Sequence, residues 1–160
     1  MKFADQYDVF AATDYQKEPA VETTRFTRLQ LDGSCLELED RPFLMVSSTS
    51  WTEDEDFSIL FESLEAIDSL EEDPEIPAIV CIITGKGPQQ GYYRDLIRRK
   101  TWNRVQFEMV WLEADEYPKM IAASDVGVCL HNSSSGLDLP MKILDMFGCC
   151  LPVIAFDYEW

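Results

Sequence analysis

The chain has 160 residues, 46% hydrophobic and 12% aromatic, enough apolar side chain for one globular domain and too much for a disordered segment. Thirty acidic against 13 basic residues give a formal net charge of −17. That charge repels nucleic-acid phosphates and argues against docking on an anionic membrane through a general basic face. The opening MKFADQYD has no apolar leader and no run of about 18 apolar residues follows, so neither a secretory signal nor a membrane span is expected in this stretch.

Residues 1–40 are the hardest to read. Phe3, Tyr7, Val9 and Phe10 suit one or two turns of amphipathic helix, while 18–34 mixes Thr, Pro, Gly and charge and predicts loop or linker. After Arg41-Pro42, FLMVSS at 43–48 predicts a buried strand, and 49–56 a polar loop. Phe57, Leu60, Phe61, Leu64 and Ile67 form one apolar stripe, which predicts a helix over 57–70. The acidic runs 53–56 and 71–75 are expected as solvated loops. AIVCIIT at 78–84 is apolar on both faces, as a central parallel strand requires. Gly85, Lys86 and Gly87 follow at once. The glycines allow close backbone approach and Lys86 stands where a ligand phosphate could sit, although an ordinary turn fits as well and the Walker spacing is absent.

A helix is predicted over 89–100, with Arg94, Arg98, Arg99, Lys100 and later Arg104 as its basic cluster. Bases late in a helix suit its dipole; contact with anionic lipid or a partner is the alternative. A third strand is expected at 105–110 and a short helix at 114–123. The cysteines, Cys35, Cys81, Cys129, Cys149 and Cys150, are odd in number and lack zinc-type spacing, which predicts small buried thiols. The adjacent Cys149–Cys150 pair leaves redox chemistry open, with packing the simpler account.

The stretch 125–155 carries most of the chemistry. It reads as a strand holding Val126, Val128 and Leu130, a polar loop 131–136, a helix signalled by Asp138 and Pro140 and ending at Gly148, and a strand at 152–155. A Ser/Gly loop feeding a helix N-terminus aims backbone N–H groups and positive partial charge at one spot, the physics of a phosphate site. Asp138, Lys142 and Asp145 share one helix face and Leu139, Ile143 and Met146 another. The lysine would neutralise phosphate and a carboxylate further along would accept sugar hydroxyls. An ordinary amphipathic helix with an Asp138–Lys142 salt bridge fits the same spacing. The alternation of strands and helices predicts an α/β fold, a Rossmann-like parallel sheet with helices on both faces, and the loops 47–56, 85–88 and 131–138 would open on one edge.

VSSTSWTEDEDF, ITGKGP, SSSGLDLPMK and DMFGCCLPV resemble segments of GT-B glycosyltransferases, and within them of the beta-mannosyltransferases that add the first mannose to dolichol-linked chitobiose. The resemblance spans about 41–155. It implies the C-terminal, donor-binding half of a GT-B enzyme: 1–40 as interdomain linker and 41–160 as a nucleotide-sugar-binding domain, incomplete at its C-terminus. It implies GDP-mannose as donor and an inverting transfer making a beta-1,4 linkage in N-glycan precursor assembly. It places the work on the cytosolic face of the endoplasmic reticulum membrane. The dolichol-linked acceptor would bind through a domain outside this chain, and the resemblance extends the expected partners to other glycosyltransferases of the lipid-linked oligosaccharide pathway.

Carried over by position, Lys86, flanked by Gly85 and Gly87, and the loop Ser133, Ser134, Ser135 and Gly136 would meet the diphosphate. Amides around Leu139, Pro140, Met141 and Lys142 would add the helix terminus. Asp145 would hold the ribose, Asp138 would lie near the sugar, and Lys142 would steady the leaving diphosphate. His131 would contact donor or end its strand. No cofactor or metal is implied, because lysine and helix terminus stabilise the departing GDP. Many GT-B enzymes carry two glutamates eight positions apart here; Leu137 and Asp145 hold that spacing, so the carboxylate roles stay open. The base that deprotonates the acceptor is expected outside this chain, which alone would be inactive. The alternatives are a catalytically inactive, truncated relative acting as an interaction module, and an unrelated doubly wound domain for another phosphate ligand.

Overall fold

Two largely apolar six-residue runs, Phe43–Ser48 (β3) and Ile79–Thr84 (β4), pair in parallel with Met45 opposite Cys81. They sit inside a five-stranded sheet in the computed structural model, which describes residues 2–12, 22–70, 76–132 and 140–157. Val105–Val110 (β5) pairs with β4, Val126–Cys129 (β6) with β3, and Val153–Ala155 (β7) with β6, all parallel, in the order β5-β4-β3-β6-β7. The expected parallel α/β sheet is therefore present.

Alternation along the strands sends side chains to two cores. Met45, Cys81, Ile83, Val126 and Val128 face Leu60, Phe61 and Leu64 of Ser58–Asp68 (α2) and Tyr93 of Gln90–Arg98 (α3). Leu44, Val46, Val80 and Ile82 face Met120 and Ile121 of Tyr117–Ala123 (α4) and Met146 of Met141–Gly148 (α5). Each such burial contributes about 1.5–3 kcal/mol. Gly127 lets α5 lie against β6, since a Cβ there would fall 2.4 Å from Met146 Sδ.

The N-terminal region joins the second core. After Lys2–Gln6 (α1), one 3-10 turn, Asp8–Phe10, buries Val9 and Phe10, and the Phe10 ring lies 5.4 Å from that of Phe26. The stretch expected as loop also holds Thr27–Leu29 (β1), antiparallel to Cys35–Glu37 (β2).

The lower end of the sheet, where the strands begin, is tied by carboxylates. Asp125 accepts from both terminal nitrogens of Arg41, at 2.8 and 2.6 Å, and from the Leu44 amide at 2.7 Å. Burial alone would raise its pKa; these bonds outweigh that and hold it below the usual value. Asp68 accepts the amides of Asn103, Arg104 and Val105 at 3.0, 2.7 and 3.1 Å, and again the amides outweigh burial and lower its pKa.

Three expectations are corrected. The cap of α5 is Pro140, in extended conformation and without a side-chain cap bond; Asp138, the expected capping carboxylate, lies outside the described residues. The helix expected over 114–123 starts at Tyr117, because 114–116 forms a turn. The thiols are not uniformly buried: Cys81 and Cys129 are, while Cys35 and Cys150 are exposed. Cys150 turns the chain at the end of α5 with a φ of 59°, where glycine is commoner.

Candidate active site

The carboxyl ends of β3, β4, β5 and β6 open into one cleft of about 740 Å³. Its floor is set by three interlocked loops. After β3, Trp51 adopts a φ of 52° and is fully buried, its ring tilted against those of Phe57 at 4.9 Å and Tyr93 at 5.6 Å between centroids. Its indole N–H donates to the Gly85 carbonyl at 3.2 Å, and the Gln89 amide donates to the Trp51 carbonyl at 3.0 Å. Gly85 has a φ of 140°, and a Cβ there would lie 1.7 Å from the Thr49 carbonyl oxygen; one at Gly87 would lie 1.7 Å from that of Ser50. The close approach for which these glycines were singled out is thus made by the β3–α2 loop. On the other side, Glu55 bridges His131, and the Asn132 amide donates to the Asp54 carbonyl at 2.7 Å.

Of the residues singled out in the sequence, Gly85, His131, Pro140, Met141 and Lys142 line this cleft. Lys86 is exposed, with its ammonium 4.3 Å from the centroid of Trp111, a cleft residue. Asp145 is exposed on α5. Ser133, Ser134, Ser135, Gly136, Asp138 and Leu139 lie outside the described residues.

Lys142 bonds to Glu55, 87 positions earlier. This corrects the reading of 53–56 as wholly solvated: Glu53, Asp54 and Asp56 are exposed, but Glu55 is 3% exposed. A single buried member of an acidic run has no signature without its partner. Two further cleft residues escaped the sequence reading. Trp111 follows β5 directly, and an aromatic residue at a strand's carboxyl end was the available signal. Tyr117 sits within hydrogen-bond reach of Ser48, 3.0 Å between hydroxyls. Burial raises its pKa; the Ser48 bond opposes this and the Asp145 carboxylate adds to it, leaving a neutral phenol.

The described lining thus combines Lys142, a neutral phenol and the first-turn amides of α5 with the carboxylates of Asp54 and Glu55, a polar set that offers both donors and acceptors to a ligand with hydroxyl groups. Among the described residues no three His, Cys, Asp or Glu side chains gather as a metal-binding group. None of the described helices is long and apolar enough to cross a membrane.

Comparison with known proteins bears on this geometry. The family model described as glycosyl transferases group 1 matches residues 41–159. The chain is 49% identical to the human chitobiosyldiphosphodolichol beta-mannosyltransferase, covering 99% of this chain and 35% of that protein. It is 49% identical to the Mus musculus protein of the same name, over 99% and 33%. It is 42% identical to the Arabidopsis thaliana UDP-glycosyltransferase TURAN, over 96% and 35%. The chain spans about a third of the length of these curated relatives. The crystal structure of the pneumococcal O-GlcNAc transferase GtfA in complex with UDP and GlcNAc superposes with a TM-score of 0.54 at 17% identity, covering 74% of this chain and 21% of that one. That likeness shows a common fold, the α/β sheet of GT-B glycosyltransferases. The family match and the 49% identity together establish that the chain belongs to the group 1 glycosyl transferases.

Proposed function

We propose that this chain forms the donor-binding half of a beta-1,4-mannosyltransferase that moves mannose from GDP-mannose to dolichol-diphosphate-linked chitobiose. The observation that carries the reading is the convergence of Lys142, the start of α5 and the loops after β3 and β4 in one cleft at the carboxyl ends of the strands. Similarity to beta-mannosyltransferases over almost the whole chain supports the substrate class proposed.

In this reading the diphosphate lies across the α5 N-terminus, where amides and Lys142 stabilise the charge that develops as GDP departs, without a metal ion. Asp145 holds the ribose, with the neutral phenol of Tyr117 beside it in the cleft wall. Inversion requires a base on the acceptor side, which a second domain supplies together with the lipid-linked acceptor. The reaction then belongs on the cytosolic face of the endoplasmic reticulum membrane, among the other transferases of lipid-linked oligosaccharide assembly.

A second reading, a non-catalytic interaction module, draws on the exposed Met141, Leu144 and Phe147 of α5 and Ile154 of β7. Calorimetric titration of the chain with GDP and UDP, repeated for Lys142→Met, separates the two. Saturable binding that prefers GDP and weakens in the variant supports the donor site. A folded chain that binds neither nucleotide favours the interaction module.

A further inference from the structure

Two carboxylates line the cleft, and the buried one, Glu55, does not fit a plain anion site; Asp54 is exposed. Glu55 lines the cleft, is 3% exposed, and accepts from Lys142, whose side chain is 15% exposed. Lys142 is the only lysine or arginine among the described residues that line the cleft. The backbone of Glu55 is held as well: its amide donates to the Thr52 carbonyl at 3.3 Å, it bridges His131, and the neighbouring Asp54 carbonyl accepts from Asn132. These contacts fix the backbone of Glu55 against the end of β6, and its 3% exposure keeps the carboxylate inside the cleft. A carboxylate and an ammonium that are both withdrawn from water largely cancel each other's field. To an arriving anion the pair presents almost no net charge, and a carboxylate left behind repels it.

We propose that Glu55 is a positioning residue that sets the anion selectivity of this cleft: it holds Lys142 beside the start of α5 as half of a neutral pair, so that a diphosphate draws the ammonium across and a single phosphate does not. The inference rests on the donor-site reading above and adds its selectivity. A diphosphate brings more charge and can span the α5 amides and the ammonium together, which offsets the loss of the Glu55 bond. A monophosphate reaches the amides alone. Glu55 thereby discriminates against nucleoside monophosphates and free phosphate, which share the same terminal chemistry.

The test is calorimetric titration of the full chain with GDP and with GMP, for the native chain, Glu55→Gln, Lys142→Met and the double variant, with circular dichroism confirming the fold. Glu55→Gln keeps the shape and one hydrogen-bond acceptor but removes the charge. It is expected to tighten GMP by about tenfold and GDP by less, so the GDP-over-GMP preference narrows. Lys142→Met is expected to weaken GDP, with the double variant within about twofold of it, because Glu55 acts through Lys142. Equal weakening of both nucleotides by Glu55→Gln, or an unchanged preference, overturns the proposal while leaving the donor site intact. Absence of GDP binding to every folded form overturns the donor-site reading and the proposal together. Should Glu55→Gln fail to fold, the lysine side-chain nitrogen spectrum of the native chain decides, with the Lys142 signal assigned through Lys142→Arg. A signal that moves with GDP and stays with GMP supports the proposal; one that moves equally with both refutes it.

Discussion

Replacing Gly85 by alanine tests the interlocked loops most directly. The new Cβ would lie 1.7 Å from the Thr49 carbonyl oxygen, at a φ of 140° that side chains other than glycine's rarely adopt. To regain an ordinary contact of about 3.5 Å the two loops must part by roughly 1.8 Å. That movement stretches the Thr49 amide to Thr84 carbonyl bond of 2.9 Å, the Trp51 indole to Gly85 bond of 3.2 Å and the Gln89 to Trp51 bond of 3.0 Å beyond useful range. Three hydrogen bonds at about 0.5–1.5 kcal/mol each, with about 1–3 kcal/mol of backbone strain, set a loss of about 3–5 kcal/mol after partial relaxation. Urea unfolding followed by tryptophan fluorescence measures it. Gly91→Ala is the control: it lies in α3 with nothing within 4 Å of its Cβ, and should stabilise the chain by about 0.5–1 kcal/mol. The reasoning fails if Gly85→Ala unfolds within 1 kcal/mol of the native chain, because the loops would then have room that the structure denies them.

Asp68→Asn should cost about 2 kcal/mol in chemical denaturation at neutral pH, since three amides lose a charged acceptor. The folded pKa of Asp68 lies below its unfolded value, so its contribution is present above about pH 4 and fades as pH falls below that; the native chain should therefore lose more stability on acidification than the variant. Arg41→Met should destabilise by about 2–4 kcal/mol in thermal or urea unfolding, because Asp125 keeps its half-buried charge without the guanidinium. In a thiol-reagent assay on the native chain, Cys35 and Cys150 should react promptly, and Cys81, fully buried with its pKa pushed up to about 12, only on unfolding. Mass spectrometry of the labelled peptides reads the difference, and early labelling of Cys81 would contradict its burial.

The strands 43–48 and 105–110 and the stripe of α2 were legible in the sequence because each follows from a local pattern that tertiary contacts only reinforce. The convergence of loops at one sheet edge followed from parallel alternation. What escaped depends on long-range partners. Glu55 looks like its exposed neighbours until Lys142 arrives from α5. Val9, Phe10 and Phe26 are too scattered to announce that the N-terminal region covers one face of the sheet. Lys86 has a reach compatible with a ligand, but only the topology brings Trp111 beneath it. The glycines after β4 were correctly tied to close backbone approach, but a sequence does not say which backbone approaches.

The outer flank of the molecule carries a different kind of consequence. Among the described strands β7 is terminal in the sheet, with Ile154 57% exposed, and Leu144 and Phe147 of the adjoining α5 are 46% and 60% exposed. An apolar strand end of this kind is a template for adhesion between copies. The surplus of 17 negative charges opposes that adhesion over a distance of about 10 Å at moderate salt. Electrostatic repulsion is therefore one determinant of colloidal behaviour. As the carboxylates protonate near pH 4, or as concentrated salt shortens the range of repulsion, solubility should fall well before the fold itself is lost.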